Sequence, residues 1–79
     1  MMFKGSNTLM TVHIEQLTTG MFYGTTGTFT LDRANALEFG IVAVARELCR
    51  SLNLRDIQIV EEDSAGARVI HDVKNHALD

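Results

Sequence analysis

Apolar residues recur at every second position early in the chain, change spacing midway, and return to alternation near the end. That sequence of periods predicts strands, one helix and strands again. Met10, Val12 and Ile14 alternate with Thr11, His13 and Glu15, the pattern of a strand with one buried face, over about Leu9 to Leu17. Thr18-Thr19-Gly20 marks a turn, and Met21-Phe22-Tyr23 resumes a β-prone run suited to pairing back antiparallel. Gly24-Thr25-Thr26-Gly27 either bends one long strand or reverses it, because glycines inside strands mark bulges, bends or turns. A turn is the favoured reading and leaves Thr28 to Leu31 as a short strand.

At about 100° per residue, Ala34, Leu37, Ile41, Val44, Ala45, Leu48 and Leu52 fall on a single stripe. The spacing predicts one long amphipathic helix from Asp32 to Asn53, with Asp32 as N-cap and Thr30 as the competing cap. Asn53 tolerates the left-handed conformation that ends helices, and Leu54 can fold back onto the last turn. Beyond it, Ile57 and Ile59 point one way and Gln58 the other, reading as a half-buried strand. Glu62-Asp63-Ser64-Ala65-Gly66 closes a hairpin. In the last strand Ala67, Val69, His71 and Val73 share one face, and Arg68, Ile70 and Asp72 the other. A β-meander, a helix and a β-hairpin make an α+β fold, a single helix packed on one face of an antiparallel sheet.

The 79 residues read as one small domain, 1–79, in which 1–9 and 74–79 are expected to fray. Met10 opens a more convincing strand than Met1, so residues 1–9 read as a lead-in, and an upstream start codon is one explanation for them. Ordering each residue costs about 1.5 kcal/mol, so a core of this size comes close to balance, and chains in that position often lean on a partner. Cys49 is the only cysteine, which removes intrachain disulfides and fits a reducing, cytoplasmic compartment. Met1 to Asn7 holds one basic residue and no long apolar stretch after it, so neither a signal peptide nor a membrane span is expected.

The net charge of −3 is unevenly placed. Lys4 and Glu15 cancel in residues 1–31, four arginines outweigh Asp32, Glu38 and Glu47 in residues 32–55, and residues 56–79 carry six acids against Arg68 and Lys74. Asp56, Glu61, Glu62, Asp63 and Asp72 therefore form an acidic end, either a solvated hairpin or a patch that attracts a basic partner surface. On the predicted helix Phe39 projects about 160° from the core stripe, beside Val42, Ala43 and Cys49 and interleaved with Arg46 and Arg50. Either a terminal segment covers that flank or it is an interface, since aromatic residues and Arg are enriched at interface hot spots. Gly40 beside it would permit close approach of another backbone.

Candidate chemistry is sparse. Cys49 sits near the negative end of the predicted helix dipole, which opposes thiolate formation. His13, His71 and His76 show no metal-ligand spacing, and Glu61-Glu62-Asp63 lacks the pattern of a calcium loop, so no metal or cofactor is expected. Gly24 to Gly27 lacks the lysine and following helix of a phosphate loop. Arg33, Arg46, Arg50 and Arg55 do not form one stripe, so direct nucleic-acid binding is not expected. No catalytic residues are assigned, and the protein is read as a non-enzyme.

In size, acidity and architecture the chain resembles the small phage-encoded anti-CRISPR proteins, without a shared motif that would transfer functional positions. What the resemblance implies is a phage-encoded inhibitor that, in the cytoplasm of a bacterial host, binds a CRISPR effector complex with a basic surface and blocks its DNA-binding surface. The expected contacts of such a protein-binding module are Asp56, Glu61, Glu62, Asp63, Asp72, Phe39, Arg46 and Arg50. The alternative is a homodimer with a structural or regulatory role, using the Phe39 flank against itself.

Overall fold

A computed structural model describes residues 10–74. Residues 1–9 and 75–79, which hold most of the expected frayed ends, lie outside the described residues, whereas Lys74 closes the last strand. The elements are β1 (Met10–Gln16), β2 (Phe22–Tyr23), β3 (Phe29–Thr30), a 3₁₀ turn (Arg33–Asn35), α1 (Val42–Ser51), β4 (Ile57–Asp63) and β5 (Arg68–Lys74). Five antiparallel strands form one sheet in the order β3-β2-β1-β4-β5. The α+β class stands: one helix packs on one face of this sheet.

β1 sits at the centre, because its seven residues pair with all of β4, from Met10 opposite Asp63 to Gln16 opposite Ile57. That register puts Ile14 against Ile59, and these two join Val12, Ile57 and Tyr23 under Ala45 and Cys49 of α1 to make the core. The Gly24–Gly27 segment is a turn, as expected, with Gly27 at φ +87° and β3 folding back on β2. Gly24 is required there for space: a Cβ would come within 2.9 Å of the Thr28 carbonyl oxygen.

The helix is half the predicted length. Asp32 does cap, its Oδ1 accepting from the Ala34 amide at 3.0 Å, but the turn it starts is a single 3₁₀ turn. From Ala36 the backbone turns to the sheet instead of to itself: the Leu37 amide donates to the Tyr23 carbonyl at 2.8 Å, and the Phe39 amide to the Val12 carbonyl at 2.8 Å. β2 is too short to cover the whole edge of β1, and Phe39 fills the gap as an isolated antiparallel bridge. A backbone hydrogen bond made to the sheet satisfies the same groups a helix would, and Gly40 lowers the helical preference just there. α1 begins after it, with Ile41 as an extended N-cap lacking a side-chain hydrogen bond.

Starting the helix late changes its buried face. Ala45 and Cys49 are buried and Val42 and Leu48 pack beside them, while the predicted core positions Ala34, Ile41, Val44 and Leu52 are exposed. The C-terminus follows expectation: Asn53 takes φ 53°, its amide donates to the Arg50 carbonyl, and the Leu54 amide donates to the Cys49 carbonyl at 3.0 Å. Those two bonds satisfy carbonyls the last turn leaves open, and Leu54 packs against the core.

β5 departs from simple alternation. Ile59 pairs with Asp72 but Val60 pairs with Ile70, so His71 is an extra residue and the strand bulges. Asp72 thus shares the helix-bearing face with Ile59 while Ile70 lies on the opposite face with Val60, and the expected common face of Ile70 and Asp72 does not exist.

Candidate functional site

Three features outside the core are candidates, and the first is polar and buried. On the sheet face away from α1, His13 is 0% and Glu15 9% exposed. His13 Nε2 donates to Glu15 Oε2 at 2.8 Å, Gln58 Nε2 and Arg68 Nη2 donate to Glu15 Oε1 at 3.1 and 2.7 Å, and the edge of His13 meets the Phe22 ring at 5.3 Å. Burial pushes the Glu15 carboxyl upward, but the bonds from His13, Gln58 and Arg68 and the charge of Arg68 outweigh it and hold the pKa below its ordinary value. His13 Nδ1 has no hydrogen-bond partner and is sealed from solvent. A histidine oriented by a carboxylate is the composition of an acid–base pair, yet no reactant can reach a ring with no exposed surface. The cluster holds β1, β4 and β5 together on the sheet face away from α1.

The second feature is the edge made by β5. Six of its seven residues pair with β4 on one side, His71 being the bulge, and among the described residues the strand pairs with nothing on the other. Val69, Ile70 and Val73 are 50%, 45% and 55% exposed along it. α1 lies over β1 and β4, so a cleft opens between the helix and β5, floored by Cys49, Ile57 and Ile59 and rimmed by Arg46 and Arg50. Arg46 Nε donates to Asp72 Oδ2, which raises the guanidinium pKa further, and Arg50 Nη1 donates to Glu47 Oε1 at 2.7 Å. The third feature is a shallow apolar groove on the opposite flank of α1, between Leu37 and Phe39 on one side and Ala43, Val44 and Leu48 on the other.

The expected contact residues are dispersed among these features. Glu61 and Glu62 point to opposite faces of the sheet, as neighbours on a strand must. Glu61 accepts from His71 Nε2 at 2.6 Å, and Glu62 accepts from Arg33 Nη2 at 2.7 Å. The carboxylate of Asp63 is used inside the hairpin, accepting from the Ala65 and Ala67 amides at 3.0 and 2.9 Å. Asp56 stands at the entrance to β4 with φ 55°. Only Asp72, Arg46 and Arg50 come together, at the cleft. Phe39, read as an exposed helical residue, is half-buried on an extended segment and packs against the core.

Two things escaped sequence reasoning. The buried polar cluster looked like the solvent face of β1, because alternation reports which residues share a face and not whether that face is covered. The β5 edge had a visible signal, apolar residues on both faces of the last strand, which marks a strand whose exposed positions are unusually apolar. Among the described residues no group of three or more His, Cys, Asp or Glu side chains is placed to hold a metal ion; His76 lies outside them. No helix among them is long and apolar enough to cross a membrane. Comparison with protein-family models, curated proteins and solved structures yields no match.

Proposed function

We propose that this protein acts by binding another protein and not by catalysis, and that β5 is where it binds. The observation that carries the reading is the β5 edge, unpaired among the described residues, with Val69, Ile70 and Val73 half-exposed along it. An unpaired edge presents a row of amide donors and carbonyl acceptors that a partner strand can complete, and exposed aliphatic side chains add apolar contact to that pairing. The opposite edge, β3, is two residues long and offers no comparable template. Within this class, the anti-CRISPR resemblance makes a CRISPR effector complex in a bacterial cytoplasm the concrete partner to try first. The ion pairs Arg33–Glu62 and Arg46–Asp72 offset part of the acidic end, and the Asp63 carboxylate is turned into its hairpin, so support for that partner shifts from an acidic patch to the β5 edge.

The test is comparative capture with a tagged chain, using purified CRISPR effector complex and, separately, lysate of the source cells. Val69→Lys with Val73→Lys places charge on the edge without touching the core, and Thr26→Lys with Thr28→Lys places the same charge on the exposed segment 25–28 between β2 and β3. A partner retained by the turn variant and lost by the edge variant is the expected result. Equal capture by both, or no capture above the tag alone, refutes the edge as the binding surface. Release of captured effector complex by duplex target DNA would mark the protein as its inhibitor.

A further inference from the structure

We infer that the cleft between α1 and β5 selects an acidic residue of the strand that adds to β5, so that the partner segment alternates aliphatic residues with a carboxylate. The inference rests on the strand-addition reading and specifies its chemistry. A strand added to the edge runs about 4.8 Å from β5 and sends alternate side chains over the face that carries α1. There the cleft offers an apolar floor of Cys49, Ile57 and Ile59 and two guanidinium groups, Arg46 and Arg50, at its rim. A glutamate side chain matches both parts, with its methylene stem over the floor and its carboxylate at the rim.

The guanidinium groups have donors to spare. Arg46 engages Asp72 through Nε, and Arg50 engages Glu47 through Nη1, whereas each guanidinium carries five donors. The side chains of Arg46 and Arg50 are 44% and 65% exposed, so both can reach an incoming carboxylate. Asp72 is the internal competitor: it occupies the position an incoming acid would approach and repels it. The aliphatic flanks follow from Ile70 and Val73, which the bulge places on the face away from α1 on either side of Asp72 and which gain from apolar neighbours directly across the new pairing. The polarity is the reverse of an acidic patch seeking a basic surface: the two cations of this corner are balanced by Asp72 and Glu47, and it is their unused guanidinium donors that an incoming carboxylate would engage.

The experiment is selection from a phage-displayed library of random nine-residue peptides against the intact chain. Enrichment of peptides with Glu or Asp at one position flanked by Val, Ile or Leu is the expected result, and enrichment without an acidic preference, or none at all, overturns the inference. For the best peptide, Arg46→Gln with Arg50→Gln should weaken binding at least tenfold, while Asp72→Asn should strengthen it. Loss of stability alone cannot produce gains and losses of opposite sign at partners of one ion pair. Binding that is indifferent to both variants overturns the cleft assignment while leaving strand addition intact. N-methylation of alternate amides in the same peptide separates the two readings, since full retention of binding there refutes pairing at β5 and leaves the carboxylate preference standing.

Discussion

Replacing Glu15 with alanine tests whether the buried polar cluster on the sheet face away from α1 stabilises the fold. The carboxylate accepts three hydrogen bonds, from His13, Gln58 and Arg68, and its removal strands donors that folding has already taken out of water. Removing one partner of a buried pair costs about 3–5 kcal/mol, and a stranded neutral donor about 1–3 kcal/mol. Arg68 is 44% exposed and regains water, which places the total at the low end, about 3 kcal/mol. Total stability for a chain of this length is about 4–12 kcal/mol, so the loss is a large share of it. At about 4–8 °C per kcal/mol for a domain of this size, the melting temperature followed by circular dichroism should fall by about 12–24 °C.

The same substitution fixes a sign in pH. The folded pKa of Glu15 lies below its ordinary value of 4.5, so its contribution is fully present above that value and is lost as pH falls through the lower folded one. The gap between the native chain and Glu15→Ala should therefore hold at neutral pH and close in acid. A melting temperature within about 4 °C of the native chain at pH 7, or a gap that widens in acid, refutes the reasoning.

Other substitutions probe the helix and its end. Asn53→Gly should be neutral or stabilising by up to about 1 kcal/mol, and Asn53→Val destabilising by about 1–2 kcal/mol, because the position requires φ 53°; urea titration reads both. Ala45→Leu should cost about 1–3 kcal/mol by overpacking, whereas Val44→Leu should cost little; the rank would invert if the stripe through Val44 were the buried one. The thiol of Cys49 should react with a disulfide reagent slowly in the folded chain and at once in denaturant, since it is 3% exposed. A scattering mass that rises with concentration and is restored to that of one chain by Val69→Lys with Val73→Lys would show a second copy to be the strand that β5 takes.

Local chemistry determined much of the molecule. The strand at Met10–Gln16, the Gly27 and Gly66 turns and the stop at Asn53 each follow from alternation or from the few residues that accept a left-handed backbone, and such signals act over a handful of neighbours. The segment from Ala36 to Ile41 did not, because its apolar spacing fits a helix and its backbone is claimed by β1 and β2, partners that lie about 14 to 27 residues away in sequence. Once Phe39 pairs with Val12, the helix can only start beyond Gly40, and its core face keeps Ala45 while Cys49 and Val42 replace Val44. Tertiary contact likewise buried His13 and Glu15, placed the bulge at His71 that splits Ile70 from Asp72, and left β5 without a second neighbour among the described residues. Periodicity shows which residues share a face; whether that face is covered depends on distant segments, and so does the candidate binding edge.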